Sequence, residues 1–195
     1  MPDNEIIRQV LAGRHEVFAL LVERYQKPLV YFLCRVTPTR EEAYDFAQEA
    51  FLAAYRHLWR YSEQYTFRAW LFRIGRNLAL DDYRKRRRAV VVPEALTDQL
   101  AETRPGPEDQ CVMKEEQVML RQAMEQLPEH YRSVLYLRYQ QELTYEEISV
   151  ALNIPLSRVK THLHRAKKYL RQDLERRAKD ERIRGSVRGK APLDA

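Results

Sequence analysis

The chain of 195 residues holds two cysteines and five glycines. Cys34 and Cys111 are too few and too far apart for a disulfide framework or a metal knuckle. Both read as unpaired thiols, Cys34 in an apolar helical stretch and Cys111 in a polar one. So few glycines, set among many Glu, Arg, Leu and Gln, point to an all-α protein. No apolar run approaches the ~20 residues that cross a bilayer. The N-terminus also lacks the basic-then-apolar order of a secretory signal, so a cytoplasmic protein is expected. Apolar residues still make up 45% of the chain, enough for real cores and against wholesale disorder. The last scarcity is local: no acidic residue occurs between Glu147 and Asp173.

The net charge is +6. Average basicity says little, because a polyanion is bound by clustered cations. Here the cations gather twice, at Arg84, Lys85, Arg86, Arg87 and Arg88 and again over residues 158–171. That distribution points to nucleic acid and away from a small-molecule substrate, and no cofactor motif is present.

Apolar residues recur at helical spacing through most of the chain. Phe18, Leu21, Val22, Tyr25, Leu29 and Phe32 form one stripe. A second helix opens at Thr39 with Glu42 three residues on, a capping box. Its stripe is Ala43, Phe46, Ala47, Ala50, Phe51, Ala54 and Leu58. A third follows Thr66 and presents Phe67, Trp70, Leu71, Ile74 and Leu78. Residues 1–88 therefore read as a first helical domain. Residues 89–112 carry Pro93, Pro105, Gly106 and Pro107 without periodicity and read as a flexible linker, about 80 Å when fully stretched. A second domain spans 113–171, with one stripe at Leu120, Ala123, Met124 and Leu127 and, beyond Pro128, another at Tyr131, Val134 and Leu135. Residues 172–195 are charged, have no stripe, and read as a frayed basic tail.

Residues 144–170 form a helix-turn-helix pattern. Thr144 and Glu147 make a second capping box, and Ile148, Ala151 and Leu152 supply a buried edge. Asn153 suits the left-handed turn that ends a helix, and Pro155 suits the first turn of the next. The second helix turns Val159, Leu163, Ala166 and Leu170 inward. It turns Ser157, Arg158, Lys160, Thr161, His164, Arg165 and Lys168 outward. A short helix, a tight turn and a second helix with a basic, hydrogen-bonding face have the geometry that enters a major groove. Arg and Lys can reach guanine edges, and Thr and His can bond bases or phosphates. An ordinary solvated face would mix charge signs, and this one does not.

Two further strings carry a family resemblance. Asp45, Gln48 and Phe51 resemble the D-x-x-Q-x-x-F signature of region 2 of sigma-70-type RNA polymerase sigma factors. Trp70, Leu71, Ile74, Asn77, Asp81 and Arg84 resemble that family's W-L-x-x-I-x-x-N-x-x-x-D-x-x-R helix. Residues 127–128, 143–148 and 159–161 resemble region 4. With two modules and a short linker, the layout resembles the extracytoplasmic-function subfamily.

The resemblance implies a factor that binds core RNA polymerase and directs initiation at promoter DNA. Asp45, Gln48 and Glu49 match the face that docks on core polymerase. Arg73, Arg76, Asn77, Arg84 and Lys85 match the helix that captures the melted −10 strand. The loop at 61–66, with Tyr61 and Tyr65, matches the one that holds a flipped base. Arginines beside aromatics suit single-stranded DNA, although the helical spacing of Phe67 and Trp70 favours core packing. Arg158, Lys160, Thr161, His162, His164 and Arg165 match the helix that reads the −35 element. Many relatives carry Gly-Thr where Ser157 and Arg158 stand, and Arg in place of His162. The resemblance also implies an anti-sigma factor as partner, and no catalysis by the chain itself.

Two rival readings belong to other classes. A ligand-sensing helix-turn-helix regulator would need an apolar pocket in the first module, whose polar features lie instead on helix faces and a loop. A metal-dependent nuclease would need carboxylates that converge, but Asp81 and Asp82 point about 100° apart on a helix.

Overall fold

The computed structural model describes residues 1–89, 120 and 122–188. They are helical almost throughout and contain no strand. The first module comprises α1 (Asp3–Leu11), a 3-10 turn (His15–Phe18), α2 (Ala19–Leu33), α3 (Arg40–Arg56), a second 3-10 turn (Leu58–Arg60) and α4 (Phe67–Ala89). The second holds α5 (Glu129–Leu135), a five-residue π-helical segment (Tyr136–Gln140), α6 (Tyr145–Leu152) and α7 (Leu156–Arg188). The linker expected at 89–112 lies outside the described residues apart from Ala89, which closes α4.

Small residues bring the first three long helices together. Ala43, Ala47, Ala50 and Ala54 lie on one side of α3, and all are buried. Gly75 of α4 faces that seam, where an added Cβ would stand 3.2 Å from Leu29 Cδ1 and 3.5 Å from Ala50 Cβ. Phe32, Phe67 and Phe72 fill the space around this approach. Only half of the capping box expected at α3 forms: Thr39 accepts a bond from the Glu42 N–H, while the Glu42 carboxylate pairs with Arg86 at 2.6 Å. The N-terminal α1 packs Ile6, Ile7 and Val10 on the same core, and Asp3 accepts hydrogen bonds from Arg24 and Tyr25 of α2.

The helix-turn-helix is built as its residues dictate. Thr144 and Glu147 form the complete capping box of α6, which satisfies two otherwise free N–H groups. Asn153 ends α6 at φ 49°, ψ 48°, the left-handed conformation that its short polar side chain tolerates. Ile148, Leu152, Val159, Leu163 and Ala166 close the core between α6 and α7.

Two expectations need correction. Residues 172–188 are not a frayed tail, because α7 continues as one helix of 33 residues to Arg188. Charge pairs one turn apart, Arg171 with Glu175 and Asp173 with Arg176 and Arg177, support the extension without any apolar stripe. Arg177 also donates to the Gln122 side chain at 2.9 Å, which ties the extension to the module. The second difference concerns α4, whose single apolar stripe proves too narrow a description. Phe72 and Ala79, off that stripe, are buried. The reason is that α4 packs on α2 and α3 along one side and on α6 along another. The buried apolar residues form one continuous cluster across both modules.

Candidate nucleic-acid and polymerase interface

Asp45, Gln48 and Glu49 are exposed on the outer side of α3, opposite its alanine seam. The same exposed side continues through Leu52, 54% exposed, and Tyr55 to Trp59, which is 67% exposed with the Arg60 guanidinium over its ring. Residues 45, 48, 52 and 55 advance by three or four, so they stack along one side of α3, and Trp59 follows in the 3-10 turn beyond its end. The sequence reading stopped at the three polar residues. Leu52 and Trp59 were missed because an isolated exposed apolar side chain is ordinary, and only their alignment with the polar residues singles them out.

The residues matched to −10 DNA separate into two groups. Arg73, Arg84 and Lys85 are exposed on α4, and Arg84 pairs with Asp81 at 3.0 Å. Arg76 and Asn77 are half-buried. Burial lowers the affinity of the Arg76 guanidinium for its proton, with Glu129 of α5 as the main countercharge. Its Nε has no hydrogen-bond partner among the described residues. Tyr61 belongs to the packed wall of the loop. Its hydroxyl donates to Tyr65 O at 2.8 Å and contacts Asn4 Oδ1 at 3.1 Å, and its ring lies 5.6 Å from that of Trp70. Burial pushes the Tyr61 phenol up to about 12, so it remains a donor at neutral pH. Phe67 is buried and Trp70 partly so, in keeping with the packing role their spacing indicated.

On α7, Arg158, Lys160, Thr161, His164, Arg165 and Lys168 are all exposed. Thr161 returns its hydroxyl to Ser157 O at 3.0 Å, one turn back. His162 lies apart from them. It is half-buried against α5, its ring 4.9 Å from His130 and edge-on to Tyr131 at 5.6 Å, and its Nδ1 is enclosed. Burial first, then the nearby His130, Arg158 and Arg165, hold the His162 imidazole below its ordinary range, so it is neutral at pH 7. Lys167 stands over the Tyr139 ring at 5.4 Å. Among the described residues no group of three or more His, Cys, Asp or Glu is placed to hold a metal ion, and no helix is long and apolar enough to cross a membrane.

Comparison with known proteins places these surfaces in context. Residues 21–89 match the family model for sigma-70 region 2, and residues 117–170 match that for sigma-70 region 4. The chain is 38% identical over 177 residues to the ECF RNA polymerase sigma factor SigW of Bacillus subtilis, covering 86% of this chain and 94% of that one. It is 31% identical to the RNA polymerase sigma-H factor of Pseudomonas aeruginosa, over 89% of this chain and 94% of that one. The fold is also shared with two solved structures. The sigma factor RpoE of Bartonella quintana, in complex with the anti-sigma factor NepR, superposes with a TM-score of 0.61 at 19% identity, over 81% of this chain and 96% of that one. CnrH in complex with the cytosolic domain of CnrY gives 0.60 at 24% identity, over 89% and 97%.

Proposed function

Since the chain belongs to the extracytoplasmic-function group of sigma-70-type sigma factors, an alternative sigma factor that directs promoter-specific transcription initiation, we propose the following division of labour among its residues. Residues 1–88 bind core polymerase and the −10 strand, and residues 113–171 read the −35 duplex. Asp45, Gln48 and Glu49 dock on core polymerase together with Leu52 and Trp59, whose apolar area supplies the desolvated centre that a purely polar face lacks. Arg73, Arg76, Asn77, Arg84 and Lys85 hold the melted strand, with Tyr61 and Tyr65 shaping the loop beside it. Arg158, Lys160, Thr161, His164 and Arg165 meet the major groove. Lys168, farther from the N-terminal end of α7, neutralises phosphate. His162 supports the helix from beneath by packing on α5.

One observation carries this reading. Six hydrogen-bonding or cationic side chains are exposed together on α7, in a stretch from 148 to 172 without a single acid. A helical hairpin held only for packing has no use for such a segregation of charge. The chain performs no catalysis of its own and works in the cytoplasm. By likeness to the RpoE–NepR complex described above, an anti-sigma factor is the partner that restrains it.

The test is transcription reconstituted with core polymerase and a pool of promoters, with the transcripts sequenced. Core-dependent initiation at promoters sharing −35 and −10 elements is expected, and no such initiation at any promoter overturns the reading. Arg165→Ala, as a loss of a base contact, should cost ~1–3 kcal/mol and relax selection at one −35 position. A uniform loss across all sequences would make Arg165 a phosphate contact instead.

A further inference from the structure

The loop before α4 is closed by one of its own side chains. Tyr61 and Tyr65 are half-buried, and between them Ser62, Glu63 and Gln64 are exposed. The Tyr61 hydroxyl donates to Tyr65 O at 2.8 Å, so a single bond ties the two ends of the loop and leaves its polar tip projecting. Within the tip the Gln64 N–H reaches Ser62 Oγ at 3.4 Å. The Tyr61 ring packs on Phe67 and Trp70, 6.0 and 5.6 Å between centroids. That packing places the phenol oxygen, but a hydroxyl still rotates to suit its partners.

Where the proton points is settled from α1. The side-chain amide of Asn4 lies 3.1 Å from the Tyr61 oxygen, although 57 positions separate the two residues. A hydroxyl has one proton to give, and the shorter bond commits it to Tyr65 O. An amide carries donor and acceptor alike, so Asn4 completes the set by turning its N–H to the phenol oxygen. A bond received in this way polarises the O–H and strengthens the bond it gives. Asparagine so near a helix start commonly caps it, but α1 begins after Pro2 and has no side-chain cap. The Asn4 amide serves the loop instead.

Asn4 is itself held in place. Asp3, the residue before it, accepts hydrogen bonds from Arg24 and Tyr25 of α2, and Arg24 also donates to Met1 O at 3.0 Å. Ile6, Ile7 and Val10 are buried farther along α1. The Arg68 guanidinium, in the first turn of α4, stands 5.8 Å from the Tyr25 ring centre. The first turn of α1, which precedes the residues 21–89 matched to region 2, is therefore a firm block against which the loop is braced. We propose that Asn4 is a positioning residue for −10 recognition. Acting through the Tyr61 hydroxyl, it keeps the loop closed so that Ser62, Glu63 and Gln64 meet the flipped base in one geometry. Asn4 thereby governs which base is accepted and not how tightly polymerase is bound. The proposal rests on the assignment of the 61–66 loop to the flipped base made above.

Asn4→Asp tests this without a change of side-chain size. It adds an acid to the first turn of α1, which the helix dipole favours, so the fold is kept. The carboxylate cannot donate, and as a charged acceptor it draws the Tyr61 proton away from Tyr65 O. Holoenzyme assembled from core polymerase and the full chain transcribes a promoter pool randomised across the −10 element, and the transcripts are sequenced. Asn4→Asp and Tyr61→Phe are each expected to lower base discrimination at one −10 position at least fivefold. Selection at the −35 element should be unchanged and core binding within twofold of wild type. Asn4→Asp in the Tyr61→Phe background should lower discrimination no further, because Asn4 acts through that hydroxyl. Discrimination within twofold of wild type in either single variant overturns the proposal, as does an equal loss at both promoter elements. Replacing Ser62, Glu63 and Gln64 together by alanine separates the proposal from the reading beneath it. Wild-type selection in that variant means the loop does not hold the base, and assignment and proposal fall together. Lost selection there with wild-type selection in Asn4→Asp overturns the proposal alone.

Discussion

Replacing Gly75 sets two opposed effects against each other at one atom. Alanine there gains about 1 kcal/mol from helix propensity and about 0.8 kcal/mol from one more buried carbon. Against this, the new Cβ would lie 3.2 Å from Leu29 Cδ1 and 3.5 Å from both Ala50 Cβ and Leu33 Cδ1. Leu29, Leu33 and Ala50 are fully buried, so the neighbours have little room to yield. Overpacking of this kind costs ~1–3 kcal/mol, and Gly75→Ala is expected to come out within about 1 kcal/mol of wild type by the sum of these terms. Gly75→Val adds two further carbons to the same filled space and keeps less of the propensity gain than alanine does, because of its branched Cβ. It is expected to destabilise the first module by about 2–4 kcal/mol, or roughly 10–20 °C in Tm for a module of this size. Both tryptophans, Trp59 and Trp70, lie in that module, so urea unfolding followed by tryptophan fluorescence reports on it selectively. A Gly75→Val protein within about 0.5 kcal/mol of wild type would show that α4 does not approach α2 and α3 this closely, and the packing argument would fail.

Four further outcomes follow from other sites. Thr144→Ala removes the side-chain half of the α6 capping box and should cost about 1 kcal/mol, read from thermal unfolding of the second module. Asn153→Gly should be nearly neutral while Asn153→Val loses ~1–2 kcal/mol, and equal stability of the two would contradict the left-handed turn. Leu52→Ala should weaken core polymerase binding by about 1–2 kcal/mol while leaving Tm unchanged, because the side chain is 54% exposed. His162 has a folded-state pKa below the unfolded 6.5, so the unfolded chain binds more protons and stability falls as pH drops through 6.5. His162→Gln should flatten that fall between pH 7 and 5, and an unchanged slope would place the histidine in solvent.

How much of this was legible in advance depends on whether a residue's partner is near it in sequence. The caps at Thr144 and Glu147 and the turn at Asn153 depend on neighbours within four positions, and the structure has them as the pattern implied, whereas Glu42 leaves its expected box with Thr39 for Arg86, 44 positions on. The outward face of α7 was readable for the same reason, since helical spacing alone sorts Arg158, Lys160 and Arg165 from Val159 and Leu163. His162 was sorted by family match rather than by spacing. It flanks the inward row, and its partner His130 stands 32 positions earlier on α5, so nothing local showed that its ring was taken. The continuation of α7 was hidden for a different reason. Its support comes from charge pairs rather than apolar burial, and charged residues without a stripe look the same in a solvated helix as in a tail.

The largest illegible feature is the union of the two modules, and the physics explains why. A helix that packs on one partner shows one apolar stripe, and α4 does show one. The second module meets α2 and α4 in part through groups that do not register as apolar periodicity. The bonds are an arginine to a main-chain carbonyl, a carboxylate to a threonine, and a tyrosine hydroxyl to the carbonyl of a proline. Apolar residues outside the assigned stripes, Ala69, Phe72 and Ala79 of α4 and Tyr136 and Leu137 after α5, are all buried. Surplus apolar residues on a helix already assigned a face therefore have a definite meaning here. Polar bonds of this kind cost little to exchange for water, whereas a fused apolar core does not separate easily. The contact mixes the two, with Phe32, Phe72 and Tyr136 as its apolar part and the bonds above as the rest. A joint of that composition can hold the modules together in the free chain and still release them to a larger partner, provided that partner offers more favourable contacts to the module surfaces than the joint does.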